Sequence, residues 1–178
     1  SRLSACAASL LISIGLVSGA PDWKPAAGPL MTKWAKDVSP KNVHKDYPRP
    51  QMVRDEWQNL NGLWDYAITE KDATTTPTTW NGRILVPFPV QSALSGVMTN
   101  VFETNRLWYR RTFEIPRGWH RKRVLVNLGA VDWDTMVWVN GKEVGKHQGG
   151  YDAFTFDITE ALNRSGENEI VVSVWDPT

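Results

Sequence analysis

Two acidic residues, Asp132 and Asp134, stand on either side of Trp133 and are the first candidates for chemistry. A pair of carboxylates can act as general acid and general base. The surrounding run has the character of a strand, so the two acids would share one face, with Trp133 opposite. A catalytic pair needs two different environments, and these two acids would have the same one. We therefore favour a structural polar patch, an ion-pair site or a contact with another domain.

Asn168 and Glu169 place an amide directly before a carboxylate. They follow Gly166 in a segment with the composition of a turn, and they begin a run that alternates like a strand. This position favours a structural role for both side chains over a role in catalysis.

The segment from His147 to Tyr151 combines a histidine, an amide, two glycines and a tyrosine. The glycines predict a turn that other residues could not make. A packed corner is the favoured interpretation, and a ligand-binding role is the alternative. The three histidines of the chain lie far apart and lack the spacing of metal ligands, so we predict no metal site and no cofactor.

Charge and composition narrow the class of partner. The chain has 178 residues, with 20 basic and 19 acidic side chains and a formal net charge of +1. That balance lacks the positive field that a phosphate backbone requires, so nucleic acid is not an expected partner. The single cysteine, Cys6, cannot form an internal disulfide. For each of the ten tryptophans, burial in a core is favoured over a platform for sugar rings.

The elements that position these residues are predicted to be strands. From Trp57 onward, short runs of alternating apolar residues are separated by turns. The predicted strands cover residues 63–68, 84–86, 107–115, 123–128 and 169–175. Asn140 and Gly141 predict a tight hairpin turn between apolar flanks, because both residues adopt positive φ readily. One helical turn is predicted at 157–162, with Asp157 as its cap.

The order of these elements predicts the fold class. Strands do not alternate with long helices, which argues against a parallel α/β fold. We predict an all-β fold, an antiparallel β-sandwich of the jelly-roll, galactose-binding-like type.

The N-terminal residues differ in composition from the rest of the chain. Residues 1–20 have the order of a secretory signal peptide, with Arg2, an apolar run and then small residues, which predicts a secreted or periplasmic protein. Lipid attachment at Cys6 is a less favoured alternative, because the apolar run follows Cys6 rather than preceding it. Residues 21–47 are rich in proline and predict an extended lead-in to a domain at 48–178.

Several motifs occur in a characteristic order along the chain. They are Leu-Trp-Tyr-Arg-Arg-Thr-Phe at 107–113, Val-Trp-Val-Asn-Gly at 137–141, His-Gln-Gly-Gly-Tyr at 147–151, Asp-Ile-Thr at 157–159 and Gly-Glu-Asn at 166–168. With these motifs, residues 48–178 resemble the N-terminal sugar-binding domain of glycoside hydrolase family 2. That family includes β-galactosidases, β-glucuronidases and β-mannosidases, and the His-Gln-Gly-Gly-Tyr segment is similar to that of the β-glucuronidases.

The resemblance implies a jelly-roll domain followed by an immunoglobulin-like sandwich and a barrel that carries the chemistry. In that family two barrel carboxylates, about 5–5.5 Å apart, hydrolyse β-glycosidic bonds with retention. The chain is thus expected to be the non-catalytic N-terminal domain of a secreted glycosidase. It is expected to be inactive alone, with no catalytic residue and an incomplete jelly-roll edge. The expected partners are a carbohydrate substrate and the two further domains, and a homo-oligomer stays open.

The resemblance also bears on two short segments. The acid/base glutamate of the family follows an asparagine, but the turn around Asn168 keeps that segment structural. Thr99, Asn100 and Val101 are similar to a Thr-Asn-Val segment that contacts the sugar in some β-galactosidases, which implies that Asn100 binds substrate. A plain surface loop is the alternative. For the whole chain, a free-standing carbohydrate-binding module and a purely structural sandwich are the alternative functions.

Overall fold

The computed structural model describes residues 23–28 and 30–177 and contains eight strands in that part. Their bounds are Gly62–Glu70 (β1), Gly82–Val86 (β2), Asn105–Phe113 (β3), Leu125–Leu128 (β4), Asp134–Val139 (β5), Lys142–Gln148 (β6), Phe154–Asp157 (β7) and Asn168–Trp175 (β8). The short 3-10 helices are Ala35–Asp37, Pro50–Met52, Ala93–Ser95, Arg117–Trp119 and Thr159–Ala161. The signal peptide expected at 1–20 and Cys6 lie outside the described residues. Within the described residues, no helix has the length and apolar character needed to cross a membrane.

The strands form two antiparallel sheets. The large sheet has the order β2-β1-β3-β8-β5-β6, and the small sheet pairs β4 with β7. Side chains of both sheets meet in one core, which includes Val126 of β4, Val137 of β5 and Val172 of β8. The predicted all-β antiparallel sandwich is confirmed.

Strand β8 lies in the middle of the large sheet, and its sequence explains that place. Ile170, Val172 and Val174 face the core between the sheets, and Val171 and Ser173 on the other side are also buried. Apolar residues on both faces are typical of a strand that is covered on both sides. We call the side of the large sheet that is turned away from the small sheet the outer face.

The outer face carries a second, smaller core built around Trp108. Trp108 is fully buried and packs with Ala67 and Val171, while Trp80 and Trp138 flank this group. The rings of Trp108 and Trp138 stack with their centroids 5.7 Å apart. The prediction that a tryptophan is buried in a core is therefore confirmed for Trp108.

The other tryptophans do not all follow this preference. Trp64 is buried in the main core, whereas Trp34 is 64% exposed and Trp133 is 36% exposed. A tryptophan buries much apolar surface when it packs, so the two exposed rings show that composition alone does not place a side chain.

The predicted hairpin is confirmed. Strands β5 and β6 pair across a turn in which Asn140 has φ of 51° and Gly141 has φ of 77°. Val137 pairs with Gly145 while Trp138 pairs with Glu143, so Val144 is an extra residue in β6. The apolar alternation predicts the strands on both sides of the turn but not this β-bulge.

Other predicted boundaries need correction. The strand predicted from 123 begins at Leu125, because Val124 is engaged by the next turn: its N–H donates to Thr159 Oγ1 and its carbonyl accepts from Ile158 N. Strand β7 was missed, since a four-residue run from Phe154 is too short to show an alternation. The helical turn is present at Thr159–Ala161, and Asp157 Oδ1 accepts a hydrogen bond from Thr159 N.

Candidate functional site

Two of the segments singled out in the sequence come together where the β5–β6 hairpin opens. Asp134 pairs with Gln148 across the two strands, and Gln148 Nε2 donates to Asp134 Oδ1 at 3.1 Å. Beyond the strands, Gly149 N donates to the carbonyl oxygen of Trp133 at 3.1 Å. Backbone pairing therefore fixes the position of the segment before β5 against the segment after β6.

The expected arrangement of Asp132 and Asp134 on one strand face is wrong. Strand β5 begins at Asp134, and the peptide bond between Asp132 and Trp133 is cis. The Asp132 carboxylate lies instead against Gly150, where a Cβ atom would overlap it. Only glycine fits at position 150 while Asp132 keeps this place.

His147 forms a packed corner, as expected. Its ring stacks on Phe154 of β7 at 4.1 Å between centroids, and Phe154 contacts Phe156 at 5.4 Å. His147 Nε2 is buried and has no hydrogen-bond partner among the described residues. Gly149 has φ of +132°, a conformation that other residues rarely adopt, which confirms the glycine-dependent turn.

Two aromatic side chains project from this corner. Tyr151 is 96% exposed and Trp133 is 36% exposed. We call Asp132, Trp133 and Tyr151 the corner surface. Aromatic rings that are left open on adjoining segments are typical of a contact surface.

Asn100 lies in an exposed loop whose neighbours are fixed. Thr99 N donates to the Val90 carbonyl at 3.2 Å, and Val101 packs against the main core. Asn100 itself is exposed, so its amide is presented to solvent from a tethered segment.

Asn168 has a structural role. It is 1% exposed, and its Oδ1 accepts hydrogen bonds from Asn163 N at 2.7 Å and from Asn140 Nδ2 at 2.8 Å. Asn140 in turn accepts at Oδ1 from Glu169 N. The amide thus joins the hairpin turn to the start of β8, in agreement with the structural interpretation.

A cluster of charged residues on the outer face was missed in the sequence. Arg110 donates to Asp65 Oδ2 at 2.8 Å and 3.1 Å, and its guanidinium lies 4.4 Å from the centre of the Trp80 ring. Glu169 Oε2 is 3.9 Å from Arg110 Nε. These residues come from separate strands, so only the register of the sheet reveals their proximity.

This cluster lines a depression with a volume of about 410 Å³. We call it the outer depression. Its lining residues are Leu63, Asp65, Arg83, Arg110, Arg111, Thr112 and Glu169.

Among the described residues, three side chains have a pKa that departs from its ordinary value. Burial and the nearby Arg83 lower the pKa of Arg111, whose Nη1 donates to the carbonyls of Leu60 and Asn61. Hydrogen bonds from Thr159 and Arg123 lower the pKa of Asp157 to about 2. Burial raises the pKa of Tyr109.

No group of three or more histidine, cysteine, aspartate or glutamate side chains in the described part of the chain is placed to hold a metal ion.

Residues 47–178 match the family model described as "Glycosyl hydrolases family 2, sugar binding domain". The chain belongs to this family. The resemblance seen in the sequence is thereby confirmed, and the fold of the family 2 domain is the antiparallel sandwich described above.

Glycosidases are among the curated relatives of this family 2 domain. It is similar to the beta-glucuronidase of Paenibacillus borealis, with 28% identity over 134 residues, covering 72% of this chain and 22% of the relative. It is also similar to the beta-glucuronidase of Felis catus, with 30% identity over 153 residues, covering 77% of this chain and 23% of the relative. A shorter match, 41% identical over 68 residues, joins it to the beta-galactosidase of Thermoanaerobacter pseudethanolicus, covering 38% of this chain and 9% of the relative. The chain spans less than a quarter of the length of these relatives.

Solved structures agree on the fold. The beta-glucuronidase of Lactobacillus rhamnosus is similar with a TM-score of 0.56 and 26% identity, over 70% of this chain and 22% of that one. The beta-glucuronidase of Faecalibacterium prausnitzii is similar with a TM-score of 0.58 and 22% identity, over 72% of this chain and 22% of that one.

Proposed function

We propose that this chain is the non-catalytic N-terminal domain of a secreted glycoside hydrolase that cleaves β-glucuronides. The observation that carries the proposal is the family match over 47–178 together with relatives of which the match covers less than a quarter. The first listed relatives are beta-glucuronidases. The His-Gln-Gly-Gly-Tyr segment at 147–151 supports the same substrate class, since it is similar to that of β-glucuronidases.

In this proposal the hydrolytic carboxylates belong to a barrel domain elsewhere in the longer protein. Two described carboxylates with close ion pairs serve the fold: Asp65 pairs with Arg110 across two strands, and Asp157 pairs with Arg123 while bonding to Thr159. A general acid needs a pKa raised toward neutrality, whereas the pKa of Asp157 is lowered. The domain holds the barrel and an immunoglobulin-like sandwich in place.

The corner surface is the part of this domain that we assign to contact with the other domains. Tyr151 leaves nearly its whole ring open although its loop is fixed by Gly149 and Gly150. Asn100, presented from a tethered loop, is assigned to contact the sugar in the barrel. Residues 1–20 direct the protein out of the cytoplasm as a cleaved signal.

The test compares the purified 178-residue chain with the full-length gene product. Both are assayed with p-nitrophenyl β-D-glucuronide, β-D-galactoside and β-D-mannoside. We expect no turnover by the chain and hydrolysis of the glucuronide by the full-length protein. Turnover of any of the three by the isolated chain would contradict the non-catalytic role, and a full-length protein that cleaves only another glycoside would contradict the substrate.

A further inference from the structure

The outer depression brings together residues from four neighbouring strands. Asp65 of β1 pairs with Arg83 of β2 on one side and with Arg110 of β3 on the other. Two residues further along β3, Thr112 pairs with Glu169 of β8. Alternate residues of a strand face the same side, so these five side chains all point to the outer face.

The cations of the depression differ in how far they are neutralised. Arg110 is held by Asp65 and lies over Trp80. Arg111 follows Arg110 in β3, so its side chain points to the other side of the sheet, where it donates to two backbone carbonyls. Arg83 is exposed and its guanidinium makes no ion pair or hydrogen bond with any side chain that the structure describes. On the outer face two guanidinium groups, Arg83 and Arg110, accompany the carboxylates of Asp65 and Glu169. Arg110 lies beside both carboxylates, so Arg83 is the cation with a guanidinium left for a ligand.

Burial is the main cause that lowers the pKa of Arg111, and repulsion from Arg83 is the second. A bound anion beside Arg83 would relieve that repulsion. Arginine binds carboxylates well because its planar group offers paired N–H donors.

The hydrogen-bonding groups of the depression favour one kind of anion as its ligand. Glu169 is 3.9 Å from Arg110 Nε, beyond hydrogen-bonding distance, so its oxygens can accept hydrogen bonds from a ligand. Thr112 is exposed and adds a hydroxyl group. An anion without hydroxyl groups could use only Arg83, whereas an acid that also carries hydroxyl groups can bond to Glu169 and Thr112 as well. The volume of about 410 Å³ lies within the range of ligand sites, roughly 300–1,000 Å³.

We propose that the outer depression is an accessory binding site for the uronic acid residue of a glycan, with Arg83 binding its carboxylate and with Glu169 and Thr112 binding its hydroxyl groups. The choice of sugar rests on the proposed function. The site lies on the face of the large sheet opposite the small sheet, and it would hold an acidic glycan without cleaving it.

The experiment is an NMR titration of the ¹⁵N-labelled 178-residue chain with sodium D-glucuronate, with D-glucose and with sodium acetate in separate arms. We expect saturable shifts of the amides of Asp65, Arg83, Thr112 and Glu169 with glucuronate alone. Arg83→Ala should weaken glucuronate binding about three- to fivefold, as expected for an exposed ion pair. Arg121→Ala, which removes another exposed arginine outside the depression, should leave binding unchanged.

Each other outcome overturns the proposal. Equal shifts with glucose would show that the carboxylate is not recognised, and equal shifts with acetate would show a general anion effect only. Equal affinity of the wild-type chain and Arg83→Ala would remove the role of Arg83, and the spectrum of the variant itself shows that it is folded. Failure of glucuronate to bind the chain while the full-length protein cleaves glucuronides would overturn this inference and leave the proposed function standing.

Discussion

The buried amide of Asn168 holds distant parts of this chain together. The side chain of Asn168 accepts from the backbone of Asn163 and from the side chain of Asn140, and its Nδ2 donates back to the Asn163 carbonyl at 3.1 Å. A buried polar group is costly when it lacks partners, so each of these bonds depends on the others being made. Asn168 thus has a structural role, although an asparagine directly before a glutamate resembles a catalytic motif in the sequence.

Asn168→Ala should reduce the free energy of unfolding by roughly 2–3 kcal/mol, because it removes a buried amide that bonds to Asn163 and Asn140. Asn127→Ala is the matched control, since Asn127 is exposed and accepts one hydrogen bond from Thr155. Urea denaturation of both variants measures the difference. Equal losses in the two variants would argue against the network.

The carboxylate of Asp157 makes stability depend on pH. Its pKa is lowered to about 2 by hydrogen bonds with Thr159 and Arg123, whereas the unfolded value is near 3.8. Its contribution is therefore present above pH about 4 and is lost as the pH falls toward 2. The stability difference between wild type and Asp157→Asn should shrink between pH 7 and pH 2.5, as followed by urea denaturation. Asp152→Asn, at an exposed site, should show no such change, and a constant gap for Asp157→Asn would contradict the assignment.

Asn100 allows a test of substrate contact in the full-length protein. Asn100→Ala should lower kcat/KM for p-nitrophenyl β-D-glucuronide about three- to tenfold, the effect of one lost neutral hydrogen bond. The unfolding temperature should not change, because the Asn100 side chain is exposed in this domain. Gln58→Ala removes another exposed amide and should leave kcat/KM unchanged. An Asn100→Ala enzyme with wild-type kcat/KM would favour the plain surface loop.

At the scale of elements, the two sheets are joined at the edge of the hairpin. The bulge in β6 turns Gly145 toward the small sheet, where a Cβ atom would overlap the ring of Phe156 in β7. The absence of a side chain at 145 therefore lets the ring of Phe156 reach under β6. Close packing of this kind tolerates little added volume.

Gly145→Ala should reduce the free energy of unfolding by about 1–3 kcal/mol, the usual cost of an overpacked core. Shortening the facing ring in the double variant Gly145→Ala/Phe156→Leu should give less than the sum of the two single losses. Gly118→Ala is the control, since nothing lies within 4 Å of a Cβ atom there. Thermal unfolding measures all four variants, and strictly additive losses would show that the two positions do not interact.

At the scale of the whole molecule, local signals in the sequence led to the correct fold class but not to all of the contacts. Neighbouring residues determine the Asn140–Gly141 turn and the two apolar faces of β8, so both were predictable. The contact of Asp132 with Gly150 depends on how the hairpin ends, and the outer depression depends on the register of four strands. Such positions are set by the packing of distant segments, and no run of residues encodes them alone.

The last prediction concerns how this domain meets the rest of a longer protein. Tyr151 is 96% exposed here, and a ring of that size contributes most when it is covered by a partner. In the full-length protein, Tyr151→Ser should reduce the free energy of unfolding by on the order of 1–2 kcal/mol. In the isolated chain the same change should have almost no effect, because the ring has few contacts to lose. Tyr151→Phe keeps the ring and should stay close to wild type in both. Differential scanning calorimetry of the six proteins measures these differences. An equal effect of Tyr151→Ser in the chain and in the full-length protein would show that Tyr151 acts within this domain. No effect in either protein would show that the corner surface is not part of the interface.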